Sequence, residues 1–145
     1  PLRDEEDRIA VVEAVASGLI DIICSMHTPQ DEESKRLPFE EAASGAVGLE
    51  TLLPAALRLV HAEMMDLPTL WRALSLNPAK RLGLPGGRIA VGAPADMVLF
   101  NPDAPFVLDR ATLRSKSRNT PFDGMRMQGK VVATYVAGSC VYEAN

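Results

Sequence analysis

With 145 residues, 47% apolar and 23% charged, the chain has the balance of one folded globular domain, which excludes general disorder. Lys and Arg total 15 against 19 Asp and Glu, and the net charge of -4 gives no footprint for nucleic acid or an anionic membrane. No apolar stretch approaches the roughly 20 residues that cross a bilayer. The acidic start lacks the apolar run of a signal peptide, and the missing initiator Met points to a processed or truncated chain.

Residues 4–17 are dense in helix formers, with Ile9, Val12 and Ala16 on one face and Gly18 ending the run. Residues 19–24, LIDIIC, are short and nearly all apolar, the pattern of a strand buried on both faces of a parallel sheet. Residues 25–48 carry Pro29 and Pro38 and show no period, so they read as a long loop of the kind that commonly carries function. A helix starting near Thr51 places Leu52, Leu53, Ala56, Leu57 and Val60 on one stripe. A third helix begins around Asp66-Leu67-Pro68, carries Leu70, Trp71 and Leu74, and stops before Asn77-Pro78. That pair then caps a short helix over 79–82.

The composition changes near residues 83–87. Beyond it, residues 96–100, 106–108 and 130–143 are β-type runs, with a hairpin turn expected at Gly138-Ser139. The chain therefore divides into an α/β segment over 1–83 and a small antiparallel β segment over 84–145.

Two histidines, His27 and His61, lack metal-pairing spacing, and no Cys-x2-Cys is present. His61 reads as a surface or helix-end residue. His27 follows the expected strand, where α/β barrels place catalytic groups, and stands balanced between function and a structural hydrogen bond. Cys24 and Cys140, in apolar segments, read as buried thiols of a reducing cytoplasm. Asp31-Glu32-Glu33 and the cluster Arg114, Lys116, Arg118 both read first as solvated loop faces. These residues name no reaction.

Longer runs are more telling. Pro1-Leu2-Arg3 with the acidic run after it, Ile20 through Pro29, Leu37-Pro38-Phe39-Glu40-Glu41-Ala42, Gly48-Leu49-Glu50-Thr51 and Asn77-Pro78-Ala79 together resemble the C-terminal third of a dihydroorotase. Gly92-Ala93-Pro94-Ala95-Asp96 is shared across the amidohydrolase superfamily. Arg114-Ser115-Lys116-Ser117-Arg118-Asn119-Thr120-Pro121-Phe122 is more particular to dihydroorotases.

The resemblance implies an α/β fold: the C-terminal part of a (β/α)8 barrel over 1–83 and a share of a small composite β-sandwich over 84–145. Such a barrel takes roughly 200 or more residues, so a complementary N-terminal part of the same protein is implied. It also implies zinc in the family, with no metal ligand and no zinc expected in this chain alone.

Dihydroorotases end the last barrel strand in Asp-His-Ala-Pro-His, whose Asp binds zinc and shuttles the proton and whose second His meets the substrate carboxylate. Here the stretch is Met26-His27-Thr28-Pro29-Gln30, so no catalytic residue is retained. The substrate-binding positions implied are Gln30, Ser44 and Gly45, and Asp31 is the nearest alternative carboxylate. Two functions stay open: a dihydroorotase of pyrimidine biosynthesis, and an inactive scaffold for aspartate transcarbamoylase or for a homo-oligomer.

Overall fold

The structure is a computed structural model that describes residues 3–144. Helix α1 (Glu5–Ala16) follows Asp4 and gathers Glu5, Glu6 and Asp7 in its first turn, where the helix dipole favours negative charge. Its buried residues are Val12 and Val15, whereas Ile9 and Ala16, expected on the inner face, are exposed. Only the second half of α1 meets the other helices.

Residues 19–24 correct the strand expectation. They are extended, but no strand of the described chain pairs with them. Their backbone is tied to helices instead: Ile20 N–H donates to Ala14 O (2.9 Å) and Ile23 N–H to Ala73 O (3.1 Å). Asn77 Nδ2 donates to Asp21 O at 2.9 Å. A strand is defined by neighbours that satisfy its backbone, and the chain supplies none here. Burial fails for the same reason, with Leu19 82% exposed and Cys24 exposed. Cys140 is exposed as well, on an edge strand, so neither thiol is the buried one expected.

Beyond the extended segment lies α2 (Glu32–Arg36), a helix the aperiodic sequence did not reveal. The acidic run at its start is a cap and a first turn: Asp31 Oδ1 accepts from Ser34 N–H at 2.7 Å. That N–H holds the Asp31 carboxyl below the usual carboxylate range, and the Thr69 hydroxyl and N–H do the same for Asp66. Depressed folded values mean that both caps contribute above the ordinary aspartate value of about 3.9 and are lost as pH falls through the lower folded values. In an acid titration, the Ser34 and Thr69 amide shifts are expected to turn over below that ordinary value. Midpoints at or above it would contradict the caps.

Helix α3 (Leu52–His61) starts where the sequence placed it and buries Pro54, Ala56 and Leu57. Helix α4 (Leu67–Trp71) is capped by Asp66, whose Oδ1 accepts from Thr69 N–H at 2.8 Å. The expected stop before Asn77-Pro78 does not occur. A π-helical turn over Arg72–Leu76 carries the chain directly into α5 (Asn77–Leu82), which Gly83 closes in the left-handed region at φ 67°.

Pro78 makes that turn intelligible. Asn77 N–H reaches back to Arg72 O, and Pro78 has no N–H, so Ala73 O loses both helical donors. Ile23 N–H takes the vacant carbonyl. A helical irregularity thus anchors the extended segment.

The second half forms one antiparallel sheet in the order β1 (Met97–Val107), β2 (Arg126–Val136), β3 (Ser139–Glu143). The two runs expected over 96–100 and 106–108 are one strand, irregular between Asn101 and Pro105. Prolines that cannot donate are tolerated there because β1 is an edge strand. The hairpin turn is Ala137-Gly138, both at positive φ (48° and 80°), one residue earlier than expected.

Two apolar clusters hold the molecule together. Val12, Val15, Ala56, Leu57, Met65, Leu70 and Ala73 form the helical one, which Phe100 of β1 joins by stacking on Trp71 at 5.2 Å. Val47, Leu108, Leu113 and Met127 form the second, beneath the loop over 25–48. Helix α3 bridges them. A Cβ on Gly129 of β2 would lie 2.3 Å from Leu57 Cδ1, so glycine is what admits the strand to this helix.

Candidate functional site

The residues singled out at 26–30 and 44–45 lie on the two limbs that flank α2 and converge there. His27 and Ala46 form a parallel bridge, and Thr28 N–H donates to Ala46 O at 2.9 Å. This short pairing brings the two limbs of the loop side by side. Gly45 is required where they touch, because its φ is +123° and a Cβ there would lie 2.6 Å from Thr28 O. Gly48 plays the same part beside Ser25, whose O would lie 2.6 Å from a Cβ.

His27 is half-buried, and its Nδ1 accepts from Gly48 N–H at 3.0 Å and Leu49 N–H at 3.4 Å. With Nδ1 an acceptor, the neutral ring carries its proton on Nε2. His27 thus makes a structural hydrogen bond that ties its limb to the start of the Gly48-Leu49 stretch. His61 lies at the exposed end of α3 with Nε2 3.5 Å from Asp103 Oδ1, as a helix-end residue.

Met26 has φ 45° and is 74% exposed. Its backbone O accepts from the Thr28 hydroxyl at 2.9 Å. A thioether there neither gives nor takes a proton and is a poor zinc donor. Among the described residues no group of three or more His, Cys, Asp and Glu gathers at one point. The side chains at 26–31 do not fit a zinc site: one imidazole has Nδ1 occupied, and Asp31 caps α2.

Gln30 is half-buried and points its amide along the loop, with Nε2 donating to Ser44 O at 3.0 Å. Its N–H donates to Asn119 Oδ1 (3.2 Å), and its O accepts from the Ser117 hydroxyl. Asn119 Nδ2 donates to Gly45 O at 2.8 Å, and its own O accepts from Val47 N–H at 2.9 Å. Lys35 Nζ adds bonds to Ala43 O (2.7 Å) and Gly45 O (3.2 Å). Gln30, Ser44 and Gly45 therefore do come together.

Two stretches far apart in sequence build this one site. Glu50 Oε1 accepts from Arg114 N–H (2.9 Å) and Ser115 N–H (3.3 Å), fixing the start of the segment that carries Ser117 and Asn119. The Arg114 guanidinium lies over the Tyr142 ring at 4.8 Å, so it is packed on the sheet instead of standing free. Lys116 and Arg118 are exposed. Sequence reasoning missed Lys35, Ser117 and Asn119 as loop-holding residues. The signal for Ser117 and Asn119 was the density of small polar side chains in residues 115–120, and Lys35 had none.

The amidohydrolase family profile matches residues 2–141. The chain is 44% identical over 142 residues to a dihydroorotase of Wolbachia sp. subsp. Drosophila simulans, covering 98% of this chain and 32% of that protein. A dihydroorotase of Desulforapulum autotrophicum is 43% identical over 143 residues, 99% of this chain and 33% of the relative. The chain thus spans about a third of the length of these curated relatives.

Among solved structures, the L-hydantoinase (dihydropyrimidinase) of Arthrobacter aurescens superposes with a TM-score of 0.92 at 34% identity, over 99% of this chain and 33% of that one. The dihydropyrimidinase of Brevibacillus agri superposes at 0.91 and 26% identity, over 99% and 32%. Sequence profile and backbone agree over nearly every residue: the chain belongs to the amidohydrolase family.

Proposed function

We propose that this chain is the C-terminal share of a dihydroorotase-type cyclic amidase, supplying one wall of the substrate site. The supporting observation is the assembly of Gln30, Ser44 and Gly45 into one ordered loop by the segment over 114–120. Both stretches are among those that resemble dihydroorotases, and identity to named dihydroorotases exceeds 40%. On this reading residues 1–83 complete a (β/α)8 barrel and residues 84–145 part of a β-sandwich. The extended segment over 19–24, with Leu19 and Ile20 exposed, is the barrel strand waiting for its neighbours.

The chain's own residues bind and orient. The Gly45 and Ser44 backbone holds one face of the cyclic amide, and Gln30 contributes a neutral side chain where a histidine would meet a carboxylate. The family's zinc, which activates water for amide hydrolysis, would be held by a complementary part of the protein.

Met26 favours a second reading. A proton shuttle is needed to protonate the departing amide nitrogen, and an exposed thioether cannot serve. The parent protein is then an inactive dihydroorotase-like scaffold, cytoplasmic, partnering aspartate transcarbamoylase or a second copy of itself. Steady-state hydrolysis of dihydroorotate by the full-length polypeptide decides: turnover at an ordinary enzyme's rate sinks the scaffold reading. Binding without turnover, with co-elution of the transcarbamoylase, sinks the enzyme.

The barrel reading has its own expected outcome. Expressed alone, the 145-residue chain should aggregate or give broad amide signals, and should sharpen when the complementary part is co-expressed. A monodisperse monomer that melts cooperatively would refute the missing-neighbour argument.

A further inference from the structure

We propose that Asn119 is the positioning residue of the loop that carries Gln30, Ser44 and Gly45, an inference that rests on the substrate-facing reading of that loop. One side chain holds both limbs: Oδ1 takes the Gln30 N–H at 3.2 Å, and Nδ2 gives to Gly45 O at 2.8 Å. The residue's own carbonyl takes the Val47 N–H at 2.9 Å, just past the second limb. The amide has only one workable orientation, because its partners are an N–H on one side and a carbonyl on the other.

The consequence falls on Gln30. Its N–H is held by Asn119 and its carbonyl by the Ser117 hydroxyl, which also reaches Asn119 Oδ1. Pinning both main-chain polar groups fixes the local backbone and so the direction in which the Gln30 side chain leaves it. Gly45 cannot adjust in compensation, since Thr28 fills the space where its Cβ would be. Asn119 acts through these two residues.

A control for stability alone lies elsewhere in the fold. Asp66 caps α4 through the Thr69 N–H and makes no bond to Gln30, Gly45 or the segment over 114–120. Removing that cap and breaking the clamp are therefore different perturbations of one molecule.

The test uses the full-length protein with Asn119→Asp, Ser117→Ala and Asp66→Ala. Affinity for dihydroorotate and for dihydrouracil is measured by calorimetry, and amide exchange is followed at Gln30 and Val47. Asn119→Asp keeps the acceptor but turns the donor facing Gly45 O into a second acceptor, so affinity should fall about tenfold and Gln30 should lose protection. Ser117→Ala should move both readouts in the same direction. Asp66→Ala should lower the melting temperature while leaving affinity within about twofold. Equal losses of affinity for Asn119→Asp and Asp66→Ala would overturn the proposal, as would unchanged Gln30 protection in Asn119→Asp. If the unsubstituted protein binds neither ligand, the substrate reading fails and the exchange comparison alone decides the clamp: protection lost in Asn119→Asp and kept in Asp66→Ala supports it.

Discussion

Met26→Asp combined with Gln30→His is expected to raise dihydroorotate hydrolysis by the full-length polypeptide by a factor of about 100 to 10,000, the usual worth of a positioned proton shuttle. The backbone favours the first change. Met26 sits at φ 45°, a region in which Asp is enriched and long apolar side chains are not. It is also 74% exposed, so no packing is lost with the thioether. Asp at this position disturbs little of the fold and supplies a proton carrier.

Gln30→His must replace the bond from Gln30 Nε2 to Ser44 O, which an imidazole N–H can supply while adding a charge when protonated. Met26→Asp alone should act on kcat, and Gln30→His alone on KM, because one group moves protons and the other binds. An unsubstituted protein that already turns over normally, and is slowed by the changes, would assign the shuttle to another carboxylate. Asp31 is then the first to test, at the cost of the α2 cap it now makes.

Gly45→Ala is the second large effect. At φ +123° an L side chain is strained, and its Cβ would meet Thr28 O at 2.6 Å and Thr28 Cβ at 2.9 Å. Strain of this kind costs roughly 1–3 kcal/mol, and displacing the Thr28 limb adds to it, for a total of about 2–4 kcal/mol. Gly18→Ala is the comparison, because φ is +79° there and nothing lies within 4 Å of an added Cβ. It should cost about 1 kcal/mol, from backbone conformation alone. Denaturant unfolding of both variants separates close approach from conformation. Equal costs would mean that the two limbs do not touch as described.

Periodicity and end signals were enough for the elements stabilised by their own residues. The apolar stripe over 52–60 and Pro54 in the first turn located α3. Asp66 before Pro68 located the start of α4, and Gly83 the end of α5. The β3 hairpin followed from alternation and a glycine, within one residue. The long-loop reading of residues 25–48 holds on either side of α2, a helix too short to show a period.

What the sequence could not decide depends on distant partners. Residues 19–24 have a strand's composition, but a strand exists only beside another, so here they lie extended against α5 and the π-helical turn. Pro78 reads locally as a stop, yet the helix passes it because Ile23 takes the carbonyl that the proline leaves without a donor. That residue 26 is a thioether and residue 30 a neutral amide is legible in the chain by itself, since it concerns side-chain chemistry. That Asn119 joins the two limbs around Gly45 is decided by tertiary structure alone, because no local pattern links residue 119 to residues 30 and 45.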